Sequence, residues 1–120
     1  MSKPEKIKID DVEYVRKDSC GVPMLDGMKY CIVRTHSAGV FAGYVKSRNG
    51  QEVVMLQARR LWMWYGAASL SQLAMEGTKE PNKCQFPCEV NQVELLQVIE
   101  ILDCTETAKI SIKGVPIWER

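Results

Sequence analysis

Up to Tyr65, apolar positions recur mainly with the two-residue period of strands. Lys29-Tyr30-Cys31-Ile32-Val33-Arg34-Thr35 is β-branched and aromatic and reads as a strand. His36 to Gly39 is a turn, Val40 to Lys46 a second strand, and Glu52 to Leu56 a third. Asn49-Gly50 between the last two is a hairpin signal, because it supplies the positive φ angles of a tight turn. The third strand continues, or restarts after a bend at Ala58, through Arg59 to Tyr65. If that piece is extended, Leu61, Met63 and Tyr65 point one way and Arg60, Trp62 and Trp64 the other. Upstream, IKIDDVEYV at 7–15 alternates as one bent strand or a tiny hairpin, and 16–28 reads as a loop or arm.

The pattern changes after Gly66-Ala67-Ala68. Ser69 and Gln72 match a capping box and open a short helix to Met75, with Gly77 as its stop. Leu70, Leu73 and Ala74 give that helix its apolar face. Residues 78–92 form a loop containing Gln85-Phe86-Pro87. Val93 to Leu102 is almost unbroken apolar, which suits a helix or a buried strand. The β-branched Val98, Ile99 and Ile101, and the lack of a preceding cap, favour a strand. A second helix is expected from Thr105 to about Ile112, followed by an extended tail at 115–118. The expected fold is therefore α+β: a small antiparallel sheet or partly open barrel with two short helices, near 69–76 and 105–112. Residues 1–28 would form an N-terminal β arm and loop, and 29–120 a compact β-rich domain. Three tryptophans and a long apolar strand are generous for 120 residues. Pairing into a homo-oligomer would bury the surplus.

Composition adds mainly exclusions. A hydrophobic content of 46% and a charged content of 26% fit one soluble globular domain. Net charge is +1, but residues 1–60 carry eleven Lys/Arg against seven Asp/Glu and residues 61–120 five against eight. That asymmetry can orient the chain toward an anion or toward a second copy of itself. It is too small for duplex DNA, so nucleic acid is not an expected partner. MSKPEKIKIDD lacks a signal-peptide core, and no apolar run reaches the roughly 18 residues of a membrane span. The expected location is the cytoplasm, without a membrane partner. Five irregularly spaced cysteines fit reduced thiols there. Cys84-x-x-x-Cys88 lacks the second close pair of a structural zinc site, so no metal is expected. His36 is the lone histidine, and no phosphate-loop, dinucleotide or hydrolase motif occurs. The chain is read as a non-enzyme without a cofactor.

What chemistry there is concentrates at Arg59-Arg60-Leu61-Trp62-Met63-Trp64-Tyr65. Trp62, Trp64 and Tyr65 offer faces on which a base stacks. Arg34, Arg59 and Arg60 offer forked donors for phosphate oxygens. His36 and Ser37 sit in a turn whose Gly39 lets backbone amides approach an anion. These groups would converge if the strand bearing Arg34 lies near the one bearing Arg59 to Trp64. The same residues have a structural reading. Alternating tryptophans fill cores and interfaces, arginine lies across aromatic faces, and successive arginines in a strand face opposite ways.

Three stretches, RTHSAGVFAGYV (34–45), ARRLWMWYGAASLSQLAMEG (58–77) and CQFPCEV (84–90), carry a resemblance. Together they resemble a family of small uncharacterised bacteriophage and prophage proteins, known as a domain of unknown function, over about residues 29–118. The resemblance implies a phage protein acting inside an infected bacterium. By analogy with small phage accessory proteins, the expected role is counter-defence by sequestering a cyclic-nucleotide signal. The alternative is a non-enzymatic inhibitor that binds a host defence protein through the Trp/Arg-rich surface.

Overall fold

A computed structural model describes residues 24–119. The expected strand or hairpin at 7–15, and Cys20, lie outside the described residues. The strands are β1 (Met24–Leu25), β2 (Met28–Thr35), β3 (Val40–Asn49), β4 (Glu52–Arg60), β5 (Glu89–Leu95) and β6 (Val98–Asp103). The helices are α1 (Leu70–Glu76) and α2 (Glu106–Gly114), with a 3-10 turn at Pro81–Lys83. All strand pairs are antiparallel, in the order β6-β2-β3-β4-β5, and the two-residue β1 also pairs with β2. The α+β architecture with two short helices is thus observed.

β2 is an inner strand, bonded to β3 on one edge and β6 on the other and covered on both faces, which explains its almost continuous apolar run. Tyr30 and Ile32 face the helices in a core with Leu73, Phe86, Ala108 and Ile112. Cys31 and Val33 point the other way, into a second core with Phe41, Val53, Met55 and Leu95. A strand buried on both faces has no polar positions to alternate with. The second core exists because the sheet curls. β5 and β6 occupy opposite ends of the strand order, yet only Leu96 and Gln97 separate them in the chain.

The single strand expected at 93–102 is therefore two. The chain bends at Leu96-Gln97, so Leu95 pairs with Val53 on β4 while Val98 pairs with Thr35 on β2. Val98 N–H donates to the Gln51 carbonyl and His36 N–H to the Gln97 carbonyl, which fixes the corner. Apolar periodicity cannot locate such a corner, because both halves are strand-like. Two turns also differ from expectation. Asn49 pairs with Glu52, so Gly50-Gln51 forms the loop, with positive φ only at Gly50 (64°), as in a type II′ turn. Asp26-Gly27, placed in a loop, instead makes a tight hairpin between β1 and β2 with φ of 51° and 83°. That is the Asp-Gly signature of a type I′ turn.

Both helices start where their side chains can cap them. Ser69 Oγ accepts from Gln72 N–H at 3.1 Å, and Gln72 Oε1 accepts from Ala68 N–H at 2.7 Å. Thr105 Oγ1 accepts from Ala108 N–H and donates to the Met75 carbonyl, tying α2 to the end of α1. α1 stops at Gly77, whose φ of 77° suits glycine.

Candidate functional site

The site is set by one irregularity in β4. Ala42 pairs with Arg59 and Tyr44 with Leu56, so Gln57 and Ala58 together oppose Gly43. This is a β-bulge. Gln57 adopts φ +51°, and Gly43 is required opposite, since a Cβ there would lie 2.9 Å from Ala58 Cα. The extra residue reverses which side chains face the helices. Met55 and Ala58, three apart, share one core, and Arg59 turns under α2 while Arg60 turns outward.

Arg59 is only 3% exposed. Its Nε donates to the Pro87 carbonyl at 2.8 Å, Nη1 to Ile112 at 2.8 Å, and Nη2 to Phe86 at 3.0 Å and Pro116 at 3.2 Å. It therefore ties β4 to the 84–88 loop, the last turn of α2 and the C-terminal tail. Burial pulls its pKa below the ordinary arginine value. Its position at the α2 C-terminus favours the charge through the helix dipole. No local signal marks this role, because Arg59 and Arg60 differ only in the face that the bulge assigns them.

Arg60 projects outward, its guanidinium 4.6 Å from the Phe41 ring centroid. It lines a groove of about 270 Å³ with Ser37, Val40, Leu61, Trp62 and Trp64. Leu61 is buried at the base, and Trp64 packs against the helix-side core. Trp62 is 62% exposed. The opposite wall is the 36–39 turn. There Thr35 Oγ1 donates to the Gly39 carbonyl at 2.7 Å and accepts from Ala38 N–H at 2.9 Å, while Gly39 takes φ +100°. Beyond Ser37-Ala38 lies a second hollow of about 330 Å³, bounded by Glu94, Leu95, Leu96 and Gln97.

Four of the eight candidate residues, Ser37, Arg60, Trp62 and Trp64, thus line one groove. The others do not. Arg34 lies on β2, with Nε 2.9 Å from Glu100 Oε1 of β6. His36 is exposed on the turn. Tyr65 is half-exposed, and its carbonyl accepts hydrogen bonds from the Thr78 hydroxyl and the Cys84 thiol. The expected two-sided alternation over 60–65 is absent. β4 ends at Arg60, and only Met63 makes an isolated bridge, to Gln85. Without ladder pairing to hold the period, Trp62, Met63 and Tyr65 are all exposed.

The thiols have structural surroundings. Cys84 is buried and hydrogen-bonds around Thr78 and Glu80, whereas Cys88 is exposed. Cys31 and Cys104 are buried, and burial pushes both thiols up to about 12. Among the described residues no group of three or more His, Cys, Asp or Glu is placed to hold a metal ion. No helix of the described residues is long and apolar enough to cross a membrane.

Residues 28–112 match a family described as a domain of unknown function, DUF6948. No curated protein matches the chain. No solved structure matches it either.

Proposed function

Since the chain belongs to the DUF6948 family, whose description assigns no activity, we propose a function from the surface itself. The chain is a non-enzymatic binding protein that docks a partner protein through Arg60, Trp62, Met63 and Tyr65. In the phage setting that the resemblance implies, the partner is a host defence protein. The observation that carries this reading is Trp62: it is 62% exposed, immediately after the buried Leu61. Leu61 N–H donates to the Val40 carbonyl at 2.8 Å, so the backbone that presents the indole is fixed. A large aromatic held in water on a fixed backbone, beside an arginine, has the composition of an interface hot spot. Met63 and Tyr65 extend the apolar surface around it.

Sequestration of a cyclic nucleotide is the second reading, favoured by the groove that brings Trp62, Trp64, Arg60 and Ser37 together. It ranks second on charge. Arg59 is held by carbonyls and Arg34 by Glu100, so Arg60 is the one cation among the groove's lining residues. A ligand with two or more phosphates requires more than one arginine fork. Self-association belongs to the same proposal, since Leu96 and Ile99 at the β5–β6 corner are exposed and apolar. Sedimentation at a dimer mass would support it, and a monomer at all concentrations would exclude it.

The test compares wild type with Trp62→Ala and Arg60→Ala in two assays. One is affinity capture from infected-cell lysate with identification of the captured protein. The other is thermal shift against cyclic di- and trinucleotides. A defined protein captured by wild type and lost with both variants supports docking. A nucleotide shift lost with both variants transfers the assignment to the second reading. Wild-type behaviour of both variants in both assays removes the site.

A further inference from the structure

A further hollow of about 320 Å³, distinct from those beside the 36–39 turn, lies on the other face of β4 from Arg60, walled by Arg59, Glu89, Lys113, Val115 and Ile117. We propose that it is a binding site for a small carboxylate with a short aliphatic chain. This site is separate from the aromatic groove and does not depend on the function proposed for that groove.

The argument starts from hydrogen-bond supply. Among the described residues, four of the five Arg59 N–H groups are taken by carbonyls, leaving one on Nη1. Lys113 Nζ donates to Glu89 Oε2 at 2.8 Å and to Gln57 Oε1 at 3.5 Å, leaving its third proton. Tyr30 is fully buried, and its hydroxyl has no hydrogen-bond partner among the described residues. A buried hydroxyl without a partner is uncommon. Tyr30 is not on the wall of the hollow but packs behind Lys113, whose ammonium lies 5.7 Å from the centroids of both the Tyr30 and Tyr44 rings. Among the described residues, Arg59 and Lys113 on the wall and Tyr30 behind Lys113 thus hold three unused donors, and Arg59, Lys113 and Glu89 sum to one positive charge. An acceptor-rich monoanion complements both counts.

Shape narrows the class. About 320 Å³ is at the small end of ligand sites, roughly 300–1,000 Å³, so the ligand is small. Val115 and Ile117 supply an apolar wall for an aliphatic group. The Lys113–Glu89 pair is partly exposed, and such pairs are weak, so a competing carboxylate can displace Glu89. Lys113 then swings with the ligand and uncovers the Tyr30 hydroxyl. The left-handed Gln57, whose amide reaches Lys113, stands at the same place. Non-glycine residues in this strained region concentrate at ligand sites.

The test is an amide-resolved NMR titration of the full chain with 3-methylbutanoate, using the uncharged 3-methylbutanamide as control. The expected result is saturable shifts centred on Glu89, Lys113, Val115 and Ile117 with the acid and none with the amide. Lys113→Met should weaken the acid by about tenfold or more, as loss of a charged donor does. Tyr30→Phe should weaken it severalfold while raising the melting temperature of the ligand-free protein, because the variant removes an unpartnered hydroxyl. Trp62→Ala should leave the titration unchanged, which separates this site from the aromatic groove. No saturation into the tens of millimolar, equal responses to acid and amide, or wild-type binding by both Lys113→Met and Tyr30→Phe would overturn the proposal.

Discussion

Arg59 and Arg60 are adjacent and chemically identical, yet their substitution should have opposite consequences. Arg59→Ala strips donors from four carbonyls in three chain segments. Partners left unsatisfied inside a fold cost about 1–3 kcal/mol each, with neighbours relaxing to recover part. A loss of about 3 kcal/mol or more is expected, read as a lower urea midpoint. Arg60→Ala and Trp62→Ala remove exposed groups and should change stability by no more than about 0.5 kcal/mol. If Trp62→Ala unfolds the protein in the same measurement, the indole is structural and the groove loses its assignment. Arg34→Ala breaks an exposed pair with Glu100 and should cost about 1 kcal/mol or less.

The bulge in β4 and the cap of α1 are the elements on which the site depends. Gly43→Ala would push a methyl group to 2.9 Å from Ala58 Cα and 3.0 Å from the Leu56 carbonyl. Both contacts are backbone, so the strand must shift. A loss of about 1–3 kcal/mol is expected, as for other overpacked positions. Arg59 directly follows the bulge, so its bonds should loosen with it, visible as faster amide exchange over 84–88 and 112–116. Ser69→Ala removes the first-turn acceptor of α1 and should cost about 1 kcal/mol. α1 was readable because a capping box is local: Ser69, Gln72 and Gly77 lie within nine residues. The Asp26-Gly27 turn was equally local, but the mixed charge and glycines around it made the segment resemble an arm. The bulge was readable only as a bend near Ala58. Its consequence for Arg59 depends on α2, more than fifty residues away.

At the scale of the molecule, the two cores make the fold sensitive to alkali. Cys31 and Cys104 are neutral in the fold and held up to about 12, against an ordinary value of 9.0. Between those values the unfolded chain gives up the proton and the folded chain keeps it, so unfolding is favoured. Stability contributed by the two thiols is therefore complete below about pH 9 and is lost as pH rises toward 12, by up to about 1.4 kcal/mol per unit for each thiol. Tyr30, raised by burial above its ordinary 10.0, adds in the same direction at higher pH. Melting temperatures measured across this range should fall steadily. The fall should be shallower in Cys31→Ala and Cys104→Ala. A flat profile above pH 9 would show that the thiols are hydrated in solution.

The sequence by itself determined what adjacent residues decide: the strands of the first hairpins, the cap and stop of α1, the start of α2, and an α+β class. It also placed Ser37, Arg60, Trp62 and Trp64 among the candidates, because aromatic and arginine side chains have recognisable binding chemistry wherever they fall. Tertiary structure decided the rest. It split residues 93–102 between two ends of the sheet, because backbone hydrogen bonds at a corner are satisfied by strands distant in sequence. It buried one arginine of a pair and exposed the other, because one extra residue in a ladder reverses the facing of everything after it. It gathered Arg59, Glu89, Lys113, Val115 and Ile117 around one hollow, because a curled sheet and a helix packed on it bring together positions that no local spacing relates.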